Sequence, residues 1–403
     1  MRVPVVMIVV ILVYSLIVDL YIWNDIRKYS RSRLWSRLYA AFSVACWIFL
    51  VVSLLMPRRN SSSDTLTVMW MLYSYLTLYV PKLLYVLSSL IGRLFSLRRH
   101  RPNRGVVVGT VLSLLVFAAM WWGALGGRWR IDVNEVDLYS ARLPKAFDGY
   151  RIAQISDLHV GTWGEDTRFI AQLVDSVNAL RPDVVFFTGD IVNCSSGELV
   201  PFVKELSRLK APDGVWSILG NHDYGDYLDW PTPKHKEANL QRLKDMQRDM
   251  GWHLLNNEHT FLSRGSDSIA LIGVENWGEP PFHQYGRIKD AYSAPAGDIN
   301  DSRYKILLTH NPEHWNQEIS RISNIDLSLS GHTHAMQMMV GAGGWKWSPA
   351  AWRYEQWGGL YSRRASDGCP LQLYVNIGAG EVGMPFRIGA DPEITLITLR
   401  KAR

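Results

Sequence analysis

Gly331-His332-Thr-His334 sets two imidazoles one residue apart, just past a short run in which Ile325, Leu327 and Leu329 alternate with polar residues. Such a run reads as a strand, and a glycine at its end tolerates backbone angles closed to other residues. In extended or turn geometry, side chains at i and i+2 point the same way. Two neutral imidazoles held side by side make half of a metal site. The plain alternative is a pair of loop histidines.

The pattern recurs along the chain. Apolar β-forming runs lead into Asp157-Leu-His159, Gly189-Asp190, Gly220-Asn221-His222-Asp223 and Thr309-His310. In an open α/β sheet, ligands collect at the carboxyl ends of strands. With His222 set aside, the donors are the carboxylates of Asp157 and Asp190, the amide oxygen of Asn221, and the imidazoles of His159, His310, His332 and His334. That set exceeds the needs of one tetrahedral zinc. It suits two divalent ions about 3.5–4 Å apart that share a carboxylate. Nitrogen and oxygen donors without thiolate fit manganese, iron or zinc better than magnesium or copper(I). Taken singly, Asp190 or Asn221 reads as a turn former; recurrence at successive strand ends favours metal.

The elements that position these residues begin near residue 131. Strand patterns cover 131–138, 151–156, 183–188, 214–219, 253–256, 260–262, 268–274, 303–309, 325–330, 371–376 and 393–399, and helical periodicity covers 167–180, 200–209 and 236–250. The first of these strands alternates and reads as a sheet edge. The expectation is an α/β layered domain of two sheets with helices outside, spanning residues 128–403.

Residues 1–127 have a different character. Apolar runs at 3–23, 38–56, 66–91 and 105–125 are each long enough to cross a bilayer, which needs about 20 residues. The third carries Pro81 and Lys82, and reads either as one kinked span or as a span plus an interfacial piece. The net charge of +6 comes with arginines gathered beside these runs, so it points to membrane topology and no nucleic-acid partner is expected. Arg27, Lys28, Arg31, Arg33 and Arg37 follow the first run, and Arg93, Arg98, Arg99, Arg101 and Arg104 follow the third. The connector after the second run holds Arg58, Arg59 and Asp64. The positive-inside rule then makes the first and third connectors cytoplasmic. Four spans would carry everything after Gly127 to the extracytoplasmic face of a bacterial inner membrane. A re-entrant third run would reverse this. The three cysteines, Cys46, Cys194 and Cys369, form no disulfide framework and no zinc-finger spacing; a Cys194–Cys369 bridge is the one pairing left open.

Together, the strand-end motifs resemble the calcineurin-like metallophosphoesterase family, in order and in spacing, over residues 131–403. Gly273-Val-Glu275-Asn-Trp277, Tyr374-Val-Asn-Ile-Gly378-Ala-Gly380 and Pro392-Glu-Ile-Thr-Leu resemble its membrane-anchored bacterial branch of predicted phosphohydrolases. The resemblance implies a four-layer β-sandwich flanked by helices. It implies that Asp157, His159 and His334 hold one ion, that Asn221, His310 and His332 hold the other, and that Asp190 bridges them. His222, and Asn221 beside it, would contact the phosphoryl group, with His222 also a proton donor to the leaving group. Asp223 would either orient His222 or cap a turn. The implied reaction is hydrolysis of a phosphate mono- or diester by a bridging hydroxide. Departures are Ala335-Met336, where relatives often have a glycine pair, and Asn311, where an aspartate is common.

Residues 341–361 hold Trp345, Lys346, Trp347, Trp352, Tyr354 and Trp357. They read either as an aromatic insert packed over the core or as a loop that touches lipid. A domain tied to a bilayer suits a lipid-borne or envelope-derived phosphoester. The rival readings are a lipid-precursor pyrophosphatase at the cytoplasmic face and a catalytically inactive membrane scaffold or sensor. The sequence leaves the oligomeric state open.

Overall fold

The computed structural model describes residues 5–56, 62–99, 103–280, 283–293, 302–321, 324–364 and 370–402. Arg58, Arg59, Arg101 and Cys369 lie outside the described residues. The chain divides into a helical unit, Met1–Gly126 with Gly383–Phe386, and a second unit, Gly127–Val382 with Arg387–Arg403.

The helical unit consists of α1 (Val5–Tyr29), α2 (Arg33–Leu55), α3 (Ser62–Arg99) and α4 (Gly105–Leu125), and all four are long and apolar enough to span a membrane. The third run is one continuous helix of 38 residues that passes through Pro81. Proline removes one rung of the helix ladder. Next to it, a charge is buried with its partners. The Asp19 carboxylate accepts from Tyr39 Oη at 2.7 Å, Trp47 Nε1 at 2.9 Å, Tyr79 Oη at 2.7 Å and Lys82 Nζ at 2.8 Å. Charges within apolar spans are tolerated when paired in this way, and this one ties α1 to α2 and α3. Between α3 and α4 the backbones meet at Gly92 and Gly105, where a Cβ on Gly92 would stand 2.6 Å from the Gly105 Cα. Small residues permit such close helix crossings in membranes.

The second unit is built on two six-stranded sheets. In chain order the strands are β1 (Asp132–Ser140), β2 (Arg151–Ile155), β3 (Val184–Phe187), β4 (Val215–Ser217), β5 (Trp252–Leu254), β6 (Glu258–Arg264), β7 (Asp267–Gly273), β8 (Lys305–Leu308), β9 (Leu327–Ser330), β10 (Val340–Ala342), β11 (Trp345–Trp347), β12 (Gly359–Arg364), β13 (Pro370–Val375) and β14 (Glu393–Lys401). One sheet has the order β1-β14-β2-β3-β4-β5 and the other β12-β13-β9-β8-β7-β6, while β10 and β11 form a separate hairpin. Strands β2 to β5 run parallel, as do β7, β8, β9 and β13. The alternating run at 131–138 is the edge strand β1, paired in parallel with β14.

Alternation along the strands sets the layers. Ile152, Val184 and Phe186 face Leu271, Ile306, Leu308, Leu327 and Leu329 across the space between the sheets. Ala153, Ile155, Val185 and Phe187 face outward onto Phe169, Leu173, Val174 and Val177 of helix α5 (Arg168–Ala179). Helix α6 (Val203–Leu206) and helix α7 (Pro233–Asp249) lie on the same side, Leu206 and Leu243 joining that core. On the far face, Ala270, Ile272, Leu307 and Leu373 pack with Ile288 of α8 (Ile288–Ser293) and Trp315 of α9 (Glu313–Gln317). Helix, sheet, sheet and helix follow one another, the four layers that the resemblance implies. Within the expected helix at 200–209, the 3-10 segment Ser196–Phe202 runs into the short α6, and regular α-helix covers only Val203–Leu206. Pro201 accounts for this, since it has no N–H to give to an α-helical ladder.

Candidate metal centre

Parallel neighbours have their carboxyl ends on one edge. Asp157 and His159 follow β2, Asp190 follows β3, and Asn221 with His222 follows β4; from the other sheet, His310 follows β8 and His332 with His334 follows β9. The two edges are stitched together. Gln154 Nε2 donates to the Ser330 carbonyl at 2.9 Å, and the His332 N–H lies 3.0 Å from Asp157 Oδ2. All the candidate ligands named from sequence therefore reach one place.

The loops leave their strands at angles that side chains seldom adopt. Asp157, His159, Asp190, His332 and His334 all have positive φ, at 53°, 42°, 61°, 75° and 51°. Left-handed backbone at a non-glycine residue is strained and persists where its surroundings hold it. Around them, space is closed to any added atom. A Cβ on Gly331 would lie 2.0 Å from Ser156 Oγ and 2.2 Å from Asp157 Oδ2.

The donor atoms fall into two groups around Asp190. In the first, His334 Nε2 is 3.2 Å from Asp157 Oδ1 and 3.1 Å from His159 Nε2, which is 3.6 Å from Asp190 Oδ2. In the second, His310 Nε2 is 3.1 Å from Asp190 Oδ2 and 3.2 Å from both Asn221 Oδ1 and His332 Nδ1. Atoms that bind one ion at about 2.0–2.2 Å stand roughly 3–4 Å from each other, and these distances match. Chemistry agrees with geometry. His310 Nδ1 donates to the Thr188 carbonyl at 2.7 Å, which leaves a lone pair on Nε2 in the neutral ring. Facing lone pairs and two buried carboxylates call for cations between them.

Electrostatics of the metal-free form tell the same story. Burial pushes the Asp157 carboxyl up, but His334 and His310 outweigh it and hold it below the usual range. Burial also opposes ionisation of Asp190, and His310, His222 and His159 overcome it. His310 is disfavoured as a cation by burial, yet Asp190 and Asp157 raise it to about 9. Burial and the neighbouring His310 depress His332 to about 3. Both carboxylates are thus charged, with His310 as their cationic neighbour.

His222 is held apart from these groups by its backbone. Its Nδ1 donates to the Asn193 carbonyl at 2.7 Å, its N–H donates to Asp190 Oδ1 at 2.8 Å, and the Tyr227 ring stacks on it with centroids 4.2 Å apart. With Nδ1 engaged, Nε2 is the ring's remaining nitrogen. The residue lies close enough to His159 and Asp190 to form a third donor trio with them. Asp223 does not reach His222. Its carboxylate accepts the N–H groups of Gly220 at 2.8 Å and of Asp190 and Ile191 at 2.9 Å, so of the two roles open to it, it caps the turn. Burial and the charge of Asp190 push it up to about 7. Asn311 caps Glu313 N–H and donates to the Trp277 carbonyl, touching no ligand.

Sequence reasoning missed several supports. Tyr227 Oη accepts from Asn221 Nδ2 at 2.7 Å. Tyr354 Oη lies 3.1 Å from His332 Nε2. Arg387 is fully buried and donates to the carbonyls of Gly380, Ile377 and Ala390, its Nη2 3.5 Å from His334 Nδ1. The insert at 341–361 is fastened to the metal loop, with Thr333 Oγ1 donating to the Trp357 carbonyl and Ser348 Oγ to the Ala335 carbonyl, both at 2.5 Å.

Comparison with known proteins agrees with this picture. Residues 1–128 match the family model described as "Probable Calcineurin-like phosphoesterase, transmembrane domain", and residues 150–336 match "Calcineurin-like phosphoesterase". A transmembrane protein with metallophosphoesterase domain from Danio rerio is 30% identical over 82% of this chain and 73% of its own length. The metallophosphoesterase YkuE of Bacillus subtilis is 28% identical over 67% of this chain and 86% of its own. The metallophosphoesterase Cj0846 of Campylobacter jejuni is 24% identical over 97% of both chains. Among solved structures, the NAD nucleotidase of Haemophilus influenzae aligns over 57% of this chain and 50% of that one, at 15% identity and a TM-score of 0.38.

Proposed function

Because this chain belongs to the calcineurin-like phosphoesterase family, and is therefore a metal-dependent hydrolase of phosphoester bonds with apolar spans that suit a bilayer, we propose that its site works with two divalent ions, of manganese, iron or zinc. Asp157, His159 and His334 hold one. Asn221, His310 and His332 hold the other, and Asp190 is shared. The observation that carries this reading is the position of Asp190 Oδ2, 3.1 Å from His310 on one side and 3.6 Å from His159 on the other.

When bound, such an ion pair lowers the pKa of an attacking water and takes up charge on the phosphoryl oxygens. The chain's own residues do the remainder. His222 has Nδ1 tied to a carbonyl and lies beside His159 and Asp190, so its Nε2 would donate a proton to the departing oxygen or hydrogen-bond a phosphoryl oxygen. Strained, fully packed loops hold the ligands in place before substrate arrives, which lowers the reorganisation needed at the moment of reaction.

The substrate we favour is a lipid-borne or envelope-derived phosphoester. Met336, two residues past His334, is 44% exposed, and the insert fastened to the same loop exposes Trp345 at 62% and Trp352 at 80%. Exposed apolar side chains on a segment fastened to a polar centre suit an amphiphilic substrate. The second unit then works at the extracytoplasmic face. The test is metal content and turnover together. Purified full-length protein loaded with manganese binds two ions per chain and hydrolyses an aryl phosphodiester, while Asp190→Asn binds fewer ions and loses nearly all turnover. Turnover near wild type in Asp190→Asn would overturn the shared-carboxylate assignment.

A further inference from the structure

The imidazoles of the centre do not all face it in the same way. His159, His310 and His334 turn Nε2 towards the other donor atoms. His332 turns Nδ1 inward, 3.2 Å from His310 Nε2, and Nε2 outward. A ring that offers Nδ1 to an ion must carry its proton on Nε2. That proton needs an acceptor, because buried polar hydrogens without one are costly. For His310 and His222 the outward N–H meets a backbone carbonyl, of Thr188 and Asn193. For His332 it meets a side chain: Tyr354 Oη at 3.1 Å, its ring edge-on to the imidazole with centroids 5.6 Å apart and planes at 80°.

We infer that Tyr354 is a positioning residue for the second ion. By accepting the Nε2 proton of His332, its hydroxyl selects the tautomer that leaves Nδ1 open and fixes the plane of the ring. The partner arrives from the aromatic insert, 22 residues along the chain from the ligand it orients. This insert would therefore help to order the metal site to which it is fastened. The inference rests on the two-ion reading, and extends it to a residue that touches neither ion nor substrate. Hydrogen-bond partners of this kind typically set metal affinity by 10–100-fold.

Two hydroxyl deletions within one insert separate positioning from packing. Tyr354→Phe keeps the ring and removes the acceptor. Tyr361→Phe removes a hydroxyl that accepts from the Trp357 and Gly358 N–H groups and does not reach His332. Full-length wild type and both variants are stripped with chelator and titrated with manganese. Bound metal is measured by mass spectrometry, ion–ion coupling by electron paramagnetic resonance, and folding by thermal unfolding of the metal-free form. We expect wild type to bind two ions with a coupled-pair signal. Y354F should bind one ion about 10–100-fold more weakly and show an uncoupled signal at intermediate loading, with an unchanged unfolding midpoint. Y361F should keep both ions. Equal affinities in Y354F and wild type would overturn the inference, and so would equal losses in Y354F and Y361F, which would make the effect one of packing. A wild type that takes up a single ion would instead overturn the two-ion reading itself.

Discussion

The carboxylate of Asp223 accepts the backbone N–H of Asp190 at 2.9 Å. A residue adjacent to His222 in sequence thus serves Asp190, the proposed shared ligand, on the neighbouring loop. Replacing it with alanine leaves the buried N–H groups of Gly220, Asp190 and Ile191 without acceptors, each costing about 1–3 kcal/mol. We expect Asp223→Ala to lower the unfolding midpoint and weaken metal binding while leaving the midpoints of the pH–rate profile in place. A shifted pH profile at unchanged stability would show that Asp223 acts through His222.

His222 should matter according to the leaving group. A departing alkoxide needs a proton and an activated phenoxide does not. His222→Ala is expected to slow hydrolysis of an alkyl phosphoester by about 10²–10³-fold, to slow a nitrophenyl ester far less, and to keep two ions per chain. Loss of an ion would assign His222 to the donor trio with His159 and Asp190.

Gly331 tests how tightly the centre is packed. A single methyl there would collide with Ser156 Oγ at 2.0 Å and Asp157 Oδ2 at 2.2 Å, well inside van der Waals contact. Gly331→Ala should displace Asp157 and cut metal affinity by at least 10-fold. Isothermal titration with manganese measures it, and wild-type affinity would mean that the loop yields.

Cys194 gives a check on the fold away from the metals. Burial pushes its thiol up to about 12, far above the usual range. The reactive species is the thiolate, so at pH 8 only about one in 10⁴ molecules carries it. Iodoacetamide at pH 8 should leave Cys194 unmodified in the native protein and label it after unfolding without reductant, as read by peptide mass. Labelling that requires reductant would reveal a disulfide.

The continuous α3 bears on the proposed topology. If Ser62–Arg99 crosses the membrane once, the α1–α2 and α3–α4 connectors would fall on the same side. A phosphatase reporter fused after Gly127 should be active, and one that works only in the cytoplasm would reverse the placement of the second unit.

The convergence of the candidate ligands was legible because each ends an apolar β-forming run, and a carboxylate or imidazole at such an end has few reasons to be there. Strand ends are also local features. The partners of the ligands are not. Tyr354, Tyr227 and Arg387 meet their histidines or asparagine through tertiary contacts, and nothing in their local sequence distinguishes them from surface or core residues. The choice between the two roles of Asp223 needed the positions of the Gly220 and Asp190 amides. The β10–β11 hairpin did have a signal: Gly343-Gly344, with φ of 60° and 87°, sits where a two-residue turn needs left-handed backbone.

The pairing of β1 with β14 bears on biosynthesis. Along the whole length of β1, from Asp132 against Glu393 to Ser140 against Lys401, the partner is the last strand of the unit. β14 also lies between β1 and β2, so until it arrives the two earliest strands have no common neighbour. Contacts that span so much chain form late. The ribosome must therefore deliver the chain through β14 before this sheet can close. If the unit is exported, the β1–β14–β2 part of this sheet would have to close after crossing, on the far side of the membrane.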